Sequence, residues 1–133
     1  MTPAVLQILA AGIASSVLGF IWYHPRLFGR AWMRLEGVTP EMTERAAARA
    51  HALAFFGVCA GIIVAFAVDH FATVQGIYNT AGAITLALFA WAGFVVPVLL
   101  GQLLWEQKPF VLLLINASYW LVALGVIAII VAL

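Results

Sequence analysis

A chain of 133 residues in which 66% of side chains are hydrophobic and 8% are charged is too poor in charge for a water-facing surface, which needs about 25%. Its mean hydropathy of +1.14 assigns the apolar surplus to lipid. A net charge of +1 gives no global field for nucleic acid or acidic substrates, and the lone Cys59 excludes an intrachain disulfide.

A hydrocarbon core of about 30 Å takes roughly 20 helical residues to cross, and four segments qualify. The first covers about residues 3–23 and carries no charge. No Lys or Arg precedes Arg26, so this segment reads as a retained span and not as a signal peptide. Gly12, Ser15, Ser16 and Gly19 share one of its faces and invite close helix packing.

In the loop that follows, Arg26, Arg30 and Arg34 recur every four residues and fall on one helical face. Leu27, Phe28, Ala31, Trp32 and Leu35 fall on the other. The pattern predicts an interfacial amphipathic helix with its arginines towards lipid phosphates. Pro25 suits its first turn and Gly37 its end.

Thr39-Pro40-Glu41 then opens a second helix, with an N-cap, a proline at the first position and an acid in the first turn. Ala46–Ala50 contains no breaker, so this helix is expected to run unbroken into the second span, residues 50–69. Ala50, Ala54, Gly57, Gly61 and Ala65 form one stripe of that span, and Gly57 and Gly61 make a GxxxG match. Cys59 lies among them as a small buried hydrophobe. The third span covers residues 80–104, with a kink expected near Gly93–Pro97. The fourth covers residues 110–133.

The charges alternate with the spans. Arg26, Arg30, Arg34, Arg45 and Arg49 occupy the first loop and Lys108 the third, while residues 69–79 hold no Lys or Arg. All six basic residues fall on one side, which the positive-inside rule makes cytoplasmic. The expected architecture is all-α: a four-helix transmembrane bundle forming a single integral domain, with the interfacial helix in its first cytoplasmic loop. The expected location is the cytoplasmic (inner) membrane of a bacterium, with both termini extracytoplasmic. Without strand alternation a β-barrel has no support.

Polar groups within or beside the spans are the functional candidates, because hydrocarbon makes them costly. Asn116 and Tyr119 share a face near the start of the fourth span, together with Trp120. Gln102 and Glu106 share a face at the end of the third. Tyr23 and His24 close the first span at the same depth, and His51 opens the second. Such a cluster can be a cytoplasm-facing pocket for a small ligand, a lipid headgroup or an ion. It can equally be packing, with Asn116 and Gln102 bonded across helices for about 0.6–2 kcal/mol each and Glu106 paired to an arginine. The packing reading carries more weight.

His24 and His51 lack a third ligand, so no metal is assigned. No cofactor is implied and no catalytic residue can be named: Ser15 and Ser16 have no base at their depth, and no phosphate-cradling glycine loop occurs.

The stretch Trp22-Tyr23-His24-Pro25-Arg26-Leu27-Phe28-Gly29-Arg30-Ala31-Trp32 resembles a family of small bacterial membrane proteins catalogued as a domain of unknown function. Members of that family open with a Trp-Tyr-x-Pro-x-x-Phe-Gly-x-x-Trp pattern. They close with an acid, a proline and an Ile-Asn-Ala-x-Tyr span. Here the closing part is Glu106 and Pro109, then Ile115-Asn116-Ala117-Ser118-Tyr119. Trp120 stands where the family pattern often has His, so any proton or ligand role of that histidine does not transfer. The resemblance implies four spans and brings no activity.

These features favour a structural or lipid- and partner-binding bundle, homo-oligomeric, with membrane lipids and an unidentified membrane protein as partners and no nucleic acid. The alternative is a small oligomeric transporter or channel. Small multidrug exporters have a similar length but use an acid in the first span, and residues 2–23 contain none. An enzyme ranks last.

Overall fold

Side-chain caps and left-handed glycines set several of the helix boundaries. In a computed structural model that describes residues 2–133, Thr2 accepts the Val5 N–H ahead of Pro3, and α1 runs Pro3–Trp22. A short α2 spans Gly29–Glu36 and stops at Gly37, whose φ of +75° suits a residue without Cβ. Thr39 caps α3, Pro40–Ala48, through the Met42 N–H at 3.2 Å. The second long helix, α4, covers Ala50–Val74 and closes at Gly76, φ +66°. Asn79 Oδ1 accepts the Gly82 N–H at 2.8 Å and opens α5, Thr80–Glu106. The chain ends in α6, Phe110–Ala132.

Among the described residues no strand occurs, and α1, α4, α5 and α6 are each long and apolar enough to cross a membrane. The chain is an all-α, multi-pass membrane protein.

Three local expectations need correction. Pro25 does not sit in the first turn of α2; it lies in the preceding turns, and the helix starts at Gly29. The run from α3 into α4 is broken at Arg49 (φ −114°, ψ +18°), although no proline or glycine marks the place. The break falls where polar α3 gives way to apolar α4, so the two can take different directions at that boundary. Third, the helix of the second span is not limited to the expected residues 50–69 but continues to Val74, carrying Ala72 into the buried interior.

Pro97 perturbs α5 as a π-turn over Trp91–Val95. A proline lacks the N–H and its ring crowds the carbonyl four residues back, and one wider turn relieves both problems. The turn also carries Trp91, whose indole Nε1–H donates to the Ala117 carbonyl of α6 at 2.7 Å.

The fourth helix in the membrane is the hub. Helix α6 packs against α1, α4 and α5, and α1 also packs along α4. Helix α5 leans on α6 and scarcely touches the others, which leaves an apolar groove of about 810 Å³ between α4 and α5, floored by Leu124. The core is built largely from alanines: Ala11, Ala65, Ala83, Ala87 and Ala128 are buried, and Ile127 is the largest fully buried side chain. Large side chains point outward, as expected where lipid is the solvent and association depends on close backbone approach.

The closest approach is between α1 and α4. A Cβ at Gly12 would lie 2.7 Å from the backbone nitrogen of Ile62, and one at Gly61 would lie 2.7 Å from the Gly12 carbonyl oxygen. Ser15 Oγ donates to that carbonyl at 2.9 Å, and Ser16 Oγ does so at 3.1 Å. Past a last contact of 3.5 Å between Ser16 Oγ and the Gly57 carbonyl, the helices part. A Cβ at Gly57 meets nothing within 4 Å, and Ala50 is exposed.

Candidate functional site

The end of α1, the turn after it and the first turns of α6 meet at the arginine-bearing end of the bundle. Trp22 Nε1–H donates to the Ile115 carbonyl at 3.2 Å, and the Tyr23 hydroxyl donates to Asn116 Oδ1 at 2.7 Å. One turn deeper, the Tyr119 hydroxyl donates to the Ser15 carbonyl at 3.0 Å. The stretch at residues 22–32 and the stretch at residues 115–119 therefore form one cluster, although they stand 93 residues apart in sequence at the Tyr23–Asn116 bond.

Aromatic rings extend it. Tyr23 sits edge-on to Tyr119 (centroids 5.4 Å apart) and to Trp32 of α2 (5.9 Å), and Trp22 packs on Phe28 at 5.1 Å. Trp120 packs edge-on to Tyr119 at 5.3 Å and reaches the apolar core, so its ring fills space between helices.

Gly29 explains its place at the start of α2. Its N–H donates to the His24 carbonyl at 3.1 Å, and a Cβ there would collide with the Tyr23 carbonyl oxygen. Gly29→Ala is expected to cost about 1 kcal/mol by pushing this turn off α1, read as a lower unfolding temperature in detergent. An unchanged temperature would show that the turn yields freely.

The remaining candidates lie at the edge. His24 is exposed, and its Nδ1 accepts the Arg26 backbone N–H at 3.1 Å. Gln102 and Glu106 are exposed and line, with Asn116, Glu36 and Lys108, a cleft of about 30 Å³, room for about one water. Asn116 takes its hydrogen bond from Tyr23 and not from Gln102. The ion pair here joins Lys108 to Glu36 at 3.9 Å, with Lys108 Nζ also donating to the Glu36 carbonyl at 3.0 Å; Glu106 has no arginine partner among the described residues. That link ties the α5–α6 turn to the end of α2. Arg26, Arg30 and Arg34 are all exposed.

Of the residues singled out for helix packing, Gly12, Ser16 and Gly61 lie at the α1–α4 crossing. Gly19 faces Tyr119, whose hydroxyl would be 3.3 Å from a Cβ there; Gly57 has open space at its Cβ position, and its carbonyl accepts from Ser16 Oγ at 3.5 Å. Among the described residues, no group of three His, Cys, Asp or Glu side chains could hold a metal ion.

Sequence reasoning missed the two indole donors. Trp91 offered a signal, because it sits mid-span, away from the interface where tryptophan usually rests, and its N–H must find an acceptor inside the bundle. Trp22 offered none, being indistinguishable from a belt residue.

In comparison with known proteins, a family model described as "Protein of unknown function (DUF1761)" matches residues 6–132. No curated protein and no solved structure matches the chain.

Proposed function

The chain belongs to the DUF1761 family, which is of unknown function, and from its own geometry we propose that it is a non-catalytic, lipid-binding helical bundle of the bacterial cytoplasmic membrane. In this reading the arginine-bearing loops face the cytoplasm and both termini lie outside. The observation that carries it is the closure of the polar cluster by the protein itself: the Tyr23 hydroxyl occupies Asn116 Oδ1, and the indole of Trp22 and the hydroxyl of Tyr119 are spent on backbone carbonyls. Polar groups engaged in this way join helices and leave little for a substrate.

Helix α2 and the turns before it then lie in the headgroup layer, with Arg26, Arg30 and Arg34 towards anionic phosphates and exposed Leu27 and Phe28 of the turns towards the chains. Membrane lipids are the principal partners, and further copies of the chain or another membrane protein dock on the lipid-facing helices. A second reading, a small oligomeric transporter or channel, draws on the π-turn at Trp91–Val95 beside Pro97, a place where α5 could hinge.

The test is depth. In a Cys59→Ala background, a fluorophore on Leu27→Cys in phosphatidylglycerol-containing vesicles is expected to be quenched by headgroup-labelled lipid more than by aqueous iodide. Quenching by iodide alone would contradict the interfacial placement.

A further inference from the structure

Below the Gly12–Gly61 crossing, α4 stands away from the α1–α6 pair and leaves a lateral groove of about 630 Å³, within the roughly 300–1,000 Å³ of ordinary ligand sites. One wall is the small-residue side of α4: Ala50, Ala54 and Gly57. The other is Phe20, Tyr119 and Trp120. Helix α3 closes the arginine-bearing end with Thr43 and Ala46, and Gly61 marks the deep end. We infer that this groove holds one acyl chain of an anionic phospholipid from the arginine-side leaflet, with its phosphate at the mouth beside α2 and α3. The inference rests on the lipid-binding reading above and names the site.

Three observations select this occupant. The first is length. From Ala50 to Gly61 the helix rises about 16 Å at 1.5 Å per residue, close to half of a hydrocarbon core of about 30 Å. The groove starts at the polar end and stops at mid-membrane, so it matches one leaflet and is too short for a path across.

The second is chemistry. The hydroxyls on its walls are already committed to the protein: Ser15 and Ser16 to the Gly12 carbonyl, Tyr23 to Asn116, Thr43 to the Thr39 carbonyl and Tyr119 to the Ser15 carbonyl. What they offer an occupant is hydrocarbon and ring faces, which suits a chain and not a polar solute.

The third is charge. A second hollow, lined by Pro25, Gly29, Trp32 and Met33, adjoins the groove at Tyr23 and Leu53. Arg26, Arg30 and Arg34 adjoin its lining residues in the chain, Arg45 adjoins Ala46 and Arg49 adjoins Ala50 of the groove, against Glu44 beside Thr43. Among the described residues none of these arginines makes an ion pair. Five cations next to the lining in the chain, against one carboxylate, favour a negatively charged headgroup over a zwitterionic one. No lining residue of the larger α4–α5 groove adjoins a Lys or Arg in the chain, and Asp69 follows its Val68, so charge gives it no such preference.

The experiment is native mass spectrometry of the detergent-solubilised full chain, titrated with phosphatidylglycerol or with phosphatidylcholine of the same acyl chains. Wild type is expected to retain one phosphatidylglycerol about tenfold more tightly than phosphatidylcholine. Gly57→Leu, whose Cβ meets no atom within 4 Å, adds bulk to the groove while keeping the backbone carbonyl that faces Ser16 Oγ, and is expected to weaken retention by about tenfold. Gly101→Leu, equally unhindered but outside the groove, is expected to bind as wild type.

Equal retention of both lipids, or a Gly57→Leu protein that binds as wild type, overturns the groove assignment. So does a lipid-free dimer that Gly57→Leu dissolves, which would make a second copy the occupant. Glycerophosphoglycerol, a headgroup without chains, is expected to compete poorly; full competition would place recognition on the phosphate alone and also overturn the groove. The vesicle quenching of Leu27→Cys is unaffected by any of these results, so the interfacial reading stands or falls separately.

Discussion

Gly12→Leu is expected to destabilise the bundle by at least the upper end of the roughly 1–3 kcal/mol that overpacking costs. A Cβ at Gly12 already lies 2.7–2.8 Å from the backbone nitrogen and Cα of Ile62. Backbone cannot rotate aside as a side chain can, so α1 and α4 must separate. Their separation also disturbs Gly61, whose own Cβ position is filled by the Gly12 carbonyl and Ser15 Oγ. The opposing term is helix propensity, which favours replacing a glycine by up to about 1 kcal/mol and is too small to win. Gly57→Ala separates the two terms: with no neighbour within 4 Å it is expected to be neutral or slightly stabilising. Unfolding in mixed micelles would measure both. Equal effects at Gly12 and Gly57 would mean that the crossing does not carry the α1–α4 contact.

Asn116→Leu is expected to cost about 1–3 kcal/mol, because it leaves the half-buried Tyr23 hydroxyl without its acceptor. Tyr23→Phe removes the donor and is expected to cost less, since the ring keeps its contacts with Tyr119 and Trp32. Combining the two should recover part of the loss, with a coupling of about 0.6–1.7 kcal/mol, the range for hydrogen bonds between membrane helices. Additive effects would mean that the amide of Asn116 serves something other than Tyr23, and would return the cluster to the list of ligand sites.

These two sites show how far a membrane sequence can be read. The four spans were legible because length and hydropathy alone decide whether a helix can cross, and the ends at Gly37 and Pro40 were legible from capping chemistry. Which face of a span meets a neighbour was legible only where small residues gather, as at Gly12 and Ser16, because lipid-facing and helix-facing sides are otherwise equally apolar and leave no amphipathic stripe. Gly57 and Gly61 look alike in sequence, yet one is open and the other meets the Gly12 carbonyl. The role of α6 as hub had no sequence signal either.

The polar cluster was legible in part. Topology brings Tyr23 and Asn116 to the same end, but the pairing of Tyr23 with Asn116 depends on the α1–α6 register. The exposed Gln102, Glu106 and His24 were grouped with them by depth, a coordinate that says nothing about rotation around a helix. The break at Arg49 carries no breaker residue and reflects tertiary geometry; the π-turn at Trp91–Val95 overlaps the kink expected near Gly93–Pro97, although it starts six residues ahead of the proline that provokes it.

The account as a whole depends on apolar spans that thread lipid with the arginine-bearing turns inside. Single cysteines in a Cys59→Ala background, labelled in intact cells with a membrane-impermeant maleimide, test it directly. Tyr78→Cys and Leu133→Cys are expected to react without permeabilisation, and Val38→Cys and Gln107→Cys only after it. The reverse pattern, or four equally reactive positions, would contradict the account.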